Sequence, residues 1–159
     1  MNQLVWTDEL RLDQPQMDQT HQEFVELLAA ARFALDAGDS RTGLAAFERL
    51  LEHTVEHFAG EQRWMRATGF APENCHTAQH EMVLKVMREV LRIGRTENRW
   101  EPMGILAGEL VDWFVQHAKT MDAALAHHLS QVGFDPATGK ATGPLPEVAI
   151  SHCGGGSCG

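Results

Sequence analysis

The sequence has no tyrosine, only three cysteines in 159 residues, and 13 basic residues against 22 acidic ones. Each shortage excludes something. Without tyrosine there is no phenolate ligand and no tyrosyl radical. Three cysteines, an odd and sparse number, do not make a disulfide scaffold and fit a reducing, cytoplasmic setting. A net charge of −9 leaves no basic face, so neither nucleic acid nor a membrane surface is an expected partner. No window approaches 18 uncharged apolar residues, so no membrane span is predicted. The opening MNQLVWTDELR has neither a basic n-region nor an apolar h-region, and no signal peptide is expected there. Against these shortages stand nine histidines.

Apolar residues make up 43% of the chain and charged residues 22%, the balance of a globular domain. Glycine and proline divide it into four stretches with helical periodicity, predicted at about 18–37, 41–68, 72–93 and 102–132, with Asp18 and Ser40 as helix caps. No alternating β-branched segment appears, so sheet is not expected. Four helices on short loops predict an all-α, up-down-up-down four-helix bundle. Residues 1–17 read as an N-terminal arm carrying Trp6. The predicted domain is 1–134, and 135–159, rich in Gly and Pro with a cysteine pair, reads as a flexible C-terminal tail.

Each helix carries an apolar stripe at spacings of three and four. These are Phe24, Val25, Leu28 on the first, Phe47, Leu50, Phe58, Met65 on the second, Val83, Met87, Leu91 on the third, and Leu110, Phe114, Met121, Leu125 on the fourth. Ionisable residues fall in register with these stripes: His21, then His57 and Glu61, then His76 and His80, then His117 and Asp122. Burying such groups unpaired costs several kcal/mol or more for each carboxylate, so they need a shared partner, and a cation cluster supplies one. Residues four apart stack on a helix, so His57/Glu61 and His76/His80 can each grip one centre. On a regular helix His117 and Asp122, five apart, lie about 140° apart and address different sides of a site. Two six-coordinate metals bound by five imidazoles, two bridging carboxylates and a bridging oxide or hydroxide keep one position open. That mixed donor set suits iron better than structural zinc.

In order along the chain, Trp6, Asp18-x-x-His21, His57-Phe58 with Glu61, Gly69-Phe70, His76-x-x-x-His80 and Trp113-x-x-x-His117-x-x-x-x-Asp122 resemble the hemerythrin family, specifically its bacterial single-domain members. The resemblance spans roughly residues 4–134. Thr20 and Gln62 depart from the usual pattern, at positions that are not ligands. The resemblance implies two iron ions: His76, His80 and His117 on one, His21 and His57 on the other, Glu61 and Asp122 bridging. It implies reversible O2 binding at the open position of the second iron, for oxygen storage, delivery or sensing. No catalytic residue is implied. The alternatives are an enzyme handling peroxide or nitric oxide, and a protein that stores or donates iron.

Other residues carry smaller expectations. Asp18 could orient His21 as well as cap its helix. His53 reads as a polar residue at the core edge, and His127 and His128 as dipole partners at a helix end. A route for O2 is expected near the turn between helices two and three, bordered by Trp64, Met65 or Phe70. Cys153 and Cys158 could contact a redox partner.

Overall fold

The computed structural model describes residues 3–152. A 3-10 turn, Asp8–Leu10, leads into helix α1, Pro15–Asp36. Helix α2 is Ser40–Ala67 and α3 is Cys75–Glu97. The last rod of the bundle is continuous but composite: α4, Glu101–His117, a π-helical turn, Ala118–Asp122, and α5, Ala123–Gln131. Backbone dihedrals stay right-handed across both joins of this rod. The result is the expected all-α four-helix bundle. Among the described residues no helix is long and apolar enough to cross a membrane.

The helix starts have local causes. Gln14 caps α1 by accepting a hydrogen bond from the Met17 N–H, ahead of Pro15 in the first turn. Asp18, the predicted cap, instead accepts from the Leu12 N–H at 2.8 Å and ties the arm to α1. Asp39 caps α2 through the Thr42 N–H. Asn74 and Thr77 form a capping box that starts α3 three residues later than Pro72 predicts. Gly94 does not stop α3. A Cβ there would lie 3.1 Å from the Trp100 ring, so the glycine lets that ring lie against the helix, which ends at left-handed Asn98.

The core has two apolar clusters. The larger holds Phe24, Leu28, Phe47, Leu50, Met87 and Leu110, with Trp6 of the arm packed against it. The smaller holds Met17, Met65, Phe70, Leu125, Ala126 and Leu129. The seven ionisable residues form a polar layer among the buried side chains.

The structure differs from expectation after Asp135. Phe134–Asp135 pairs antiparallel with Lys140–Ala141 in a short hairpin. The chain then returns across the α2–α3 turn. Ile150 makes a parallel bridge with Phe70; its N–H donates to the Gly69 carbonyl, and its carbonyl accepts from the Ala71 N–H. The Ser151 carbonyl accepts from the Cys75 N–H at 3.1 Å. Gly69 permits this approach: its φ is +95°, and a Cβ there would lie 2.8 Å from Pro146. The predicted tail is thus a docked strap as far as residue 151, held by backbone hydrogen bonds rather than by an apolar stripe. Cys153 and Cys158 lie outside the described residues.

Candidate metal centre

All seven sequence-predicted residues come together. His21 projects from α1, His57 and Glu61 from α2, His76 and His80 from α3, His117 from the end of α4 and Asp122 from the end of the π turn. Six of them are buried and His57 nearly so. The π turn corrects the expected 140° offset. A π turn bonds each residue to the one five positions on, so His117 and Asp122 face the same way. His117 Nε2 lies 3.1 Å from Asp122 Oδ1. The same turn moves Met121, expected on the inner stripe, to a half-buried position and puts Asp122 in its place.

The carboxylates divide their oxygens between two sets of imidazoles. Glu61 Oε1 faces His57 Nε2 at 2.8 Å and His21 Nε2 at 3.9 Å. Its Oε2 faces His76 Nε2 at 3.3 Å and His80 Nε2 at 3.4 Å. Asp122 Oδ2 faces His21 Nε2 at 3.0 Å, and Oδ1 faces His76 and His117 at 3.0 and 3.1 Å. Glu61, His76, His80, His117 and Asp122 thus form one ligand group, and His21, His57 and Glu61 another.

Many of these close approaches are not well-directed hydrogen bonds. His21 Nε2, Glu61 Oε2 and Asp122 Oδ1 are buried with no aligned partner among the described residues. Buried polar atoms seldom go unsatisfied. Donor atoms that crowd within hydrogen-bond range without pointing at one another have the arrangement that shared cations would satisfy. The residues present therefore fit a metal centre with nitrogen and oxygen donors.

Ring packing fixes the imidazoles. Phe58 stacks on His80 with centroids 3.7 Å apart, and Trp113 stacks on His117 at 4.5 Å. Phe114 meets His21 edge-on at 5.2 Å and stacks on Phe24. Gln79, which sequence reasoning missed, lies beside the site. Its Oε1 accepts from His117 Nδ1 at 3.1 Å, which leaves the Nε2 lone pair for a metal.

The electrostatics follow from crowding. Burial alone would raise both carboxyl groups, and the Asp122 charge raises Glu61 further. The neighbouring imidazoles, His57 at Glu61 and His117, His21 and His76 at Asp122, outweigh this and hold both well below the usual carboxylate range. Burial pushes the His80 imidazolium down to about 3, against the pull of Glu61. Burial acts the same way on His57, but its aligned contact with Glu61 wins and raises it. The interior thus carries two carboxylates beside a neutral His80, a set that welcomes cations.

The remaining polar residues stand apart. Asp18 is bonded to the arm and not to His21. His53 Nε2 bonds Glu23 Oε2 at 3.0 Å at the site's edge. His128 Nε2 donates to the Thr68 carbonyl at the end of α2, while His127 is exposed. A hollow of about 280 Å³ between α1 and α2 is lined by Thr20, Glu23, His53, His57 and Trp64. Of the residues expected to border an oxygen route, Trp64 lines this hollow and Met65 a second one that reaches no ligand. Phe70 is buried beside Ile150 and His128.

Comparison with known proteins agrees with the geometry. The model of the hemerythrin HHE cation binding domain matches residues 13–129. A bacteriohemerythrin from Ralstonia nicotianae is 38% identical over 131 residues, 82% of this chain and 91% of that protein. One from Aquifex aeolicus is 29% identical, covering 71% of this chain and 87% of its own. A myohemerythrin from Riftia pachyptila is 32% identical over a shorter span, 52% of this chain and 64% of its own. No solved structure matches. With a cation-binding domain model covering most of its length and a bacterial relative at 38% identity, the chain belongs to the hemerythrin family.

Proposed function

We propose that the protein binds O2 reversibly at a centre of two iron ions, for oxygen storage, delivery or sensing. His76, His80 and His117 would hold one iron and His21 and His57 the other. Glu61 and Asp122 would bridge them together with an oxide or hydroxide. When bound, the pair of irons supplies a redox-active site with one open coordination position. That position falls by count to the His21–His57 side, where only two imidazoles face the metal.

One observation carries this reading: each carboxylate turns one oxygen toward His21 or His57 and the other toward the opposite imidazoles. That division suits two metals that share the carboxylates better than one metal, and so supports the reading. The chain's own residues do the rest. Phe24, Phe58 and Phe114 keep water from the imidazoles, and Gln79 holds the His117 tautomer. The hollow beside His57 gives a small neutral ligand a short path. The names bacteriohemerythrin and myohemerythrin among the relatives agree with this reading.

The test is iron per chain with the visible spectrum, taken anaerobically after reduction and again in air. About two irons and a charge-transfer band that appears in air and reverses on deoxygenation support the proposal. Two irons that oxidise at once without a persistent band point to peroxide or nitric oxide chemistry. Absence of iron, or a single zinc, overturns the ligand assignment.

A further inference from the structure

The hollow between α1 and α2 ends on His57 and holds a second histidine–carboxylate pair. His53 Nε2 lies 3.0 Å from Glu23 Oε2, which repeats the pairing of His57 Nε2 with Glu61 Oε1 at 2.8 Å. His53, His57 and Glu61 stand at intervals of four on α2 and so share one face. Side-chain exposure falls along the series, from 47% at Glu23 to 16% at His53, 6% at His57 and 1% at Glu61. The His53 ring meets the His57 ring edge-on with centroids 6.2 Å apart, so the outer pair is one short step from the inner one.

The outer pair has the chemistry to hold a divalent cation. Neighbouring donors on a six-coordinate ion with bonds of about 2.1 Å lie about 3.0 Å apart, which matches the His53–Glu23 separation. His53 Nδ1 is buried without a partner among the described residues, so the ring proton can move there and free the Nε2 lone pair. The walls carry two exposed carboxylates, Glu23 and Glu56, against one guanidinium, Arg63. A cleft with a surplus of one sign concentrates ions of the other. The hollow lined by Met65 and Glu81 contains no histidine.

We propose that Glu23 and His53 form a transient outer site that captures divalent iron and passes it to His57 and Glu61, making the hollow the loading route of the metal centre. The hydrated ion exchanges waters for Glu23 Oε2 and His53 Nε2, then exchanges these for Glu61 Oε1 and His57 Nε2. Its oxidation state does not change, and the His53 proton returns from Nδ1 to Nε2 after the ion has passed. Two donors hold an ion briefly without retaining it, as a stepping site must. The route rests on the metal centre and not on O2 binding.

The experiment mixes metal-free full-length protein with ferrous iron anaerobically, stops uptake at successive times with the chelator ferrozine, and counts the iron retained. Release from loaded protein into excess ferrozine is timed in parallel. His53→Gln and Glu23→Gln should each slow uptake about tenfold and slow release by the same factor, with the iron content at equilibrium unchanged. A route residue shifts both rates alike because it lowers a barrier and leaves the end states as they are. Rising salt should slow uptake by the unaltered chain, and Glu23→Gln and Glu56→Gln should flatten that dependence. Glu81→Gln, in the other hollow, should load at the unaltered rate. Unchanged uptake in His53→Gln and Glu23→Gln overturns the route alone, and so does slower uptake with unchanged release, which would mean a loss of affinity. An unaltered chain that takes up no iron overturns the metal centre as well, so the two failures are told apart.

Discussion

The two halves of the site are built differently. Of His76, His80 and His117, two rings are face-stacked by an aromatic: Phe58 covers His80, Trp113 covers His117, and Gln79 holds the outer nitrogen of His117. Around His21 and His57 the aromatic contacts are edge-on instead, Phe114 at His21 and Phe58 at His57. The His57 ring lines the hollow between α1 and α2. One half is sealed by face-stacked rings, and the other meets its aromatics edge-on and opens at His57 onto the hollow. On the proposed reading, a site that keeps two metals yet admits a ligand would use both, the sealed half anchoring the metals and the half at His57 admitting the ligand.

Glu61 and Asp122 belong to both halves, so their loss should have the largest effect. On the proposed arrangement, Glu61→Ala or Asp122→Ala should reduce iron from about two per chain to below one, because each would take a bridging ligand from both irons and a counter-charge from the buried imidazoles. His57→Ala touches only the accessible half and should leave about one iron. If metal analysis shows His57→Ala and Asp122→Ala losing the same amount, the division into halves is wrong.

Protons should separate the halves next. His80, on the sealed side, has its folded value lowered to about 3 from 6.5, so the folded state binds fewer protons than the unfolded chain between these values. Its contribution favours folding at neutral pH and is lost as pH falls through that window. The carboxylates, also lowered, lose their contribution further into acid. His57, on the accessible side, is raised: its contribution is complete below 6.5 and fades as pH climbs through the higher folded value. For the chelated protein Tm should fall by about 5 °C from pH 7 to pH 4. His80→Leu should flatten the acid limb and His57→Leu the alkaline one. Identical changes in both variants would remove the electrostatic contrast.

Gln79 tests whether the clamp matters. Gln79→Leu removes the acceptor for His117 Nδ1 and frees that ring to take the other tautomer. Competition with a chelator should show iron affinity at the sealed half lowered by about 10–100-fold, with Tm of the metal-free chain little changed. An unchanged affinity would mean that Trp113 stacking alone orients His117.

Much of this was legible in the sequence, and the exceptions share a cause. Helix number and the seven inward residues could be found because a histidine or carboxylate in register with an apolar stripe is costly enough to be noticed. The contact between His117 and Asp122 was hidden because 100° per residue holds only for a regular α-helix, and the π turn departs from it. The clue lies in the fourth stripe, which steps from Phe114 and His117 to Asp122, Leu125 and Leu129 and so slips by one residue where the π turn inserts it. Gln79 was hidden because its role depends on a neighbouring helix. The strap was hidden because it is held by main-chain groups, and these leave no trace in side-chain periodicity.

The strap also gives the smallest test of the comparison. Ile150 is half-buried against Phe70 in the small apolar cluster, beyond the ring contacts of either half of the site. Ile150→Ala removes apolar cover but keeps the backbone bonds to Gly69 and Ala71. A cost of about 1 kcal/mol, or a Tm lower by about 2–4 °C, is expected. Iron content and the visible spectrum should not change, because the ring contact that Phe70 makes is to His128 and not to a ligand. A loss of iron alongside the small loss of stability would extend the sealed half outward through Phe70 to the strap, and the boundary of the clamp would then have to be drawn at Ile150 rather than at Trp113 and Phe58.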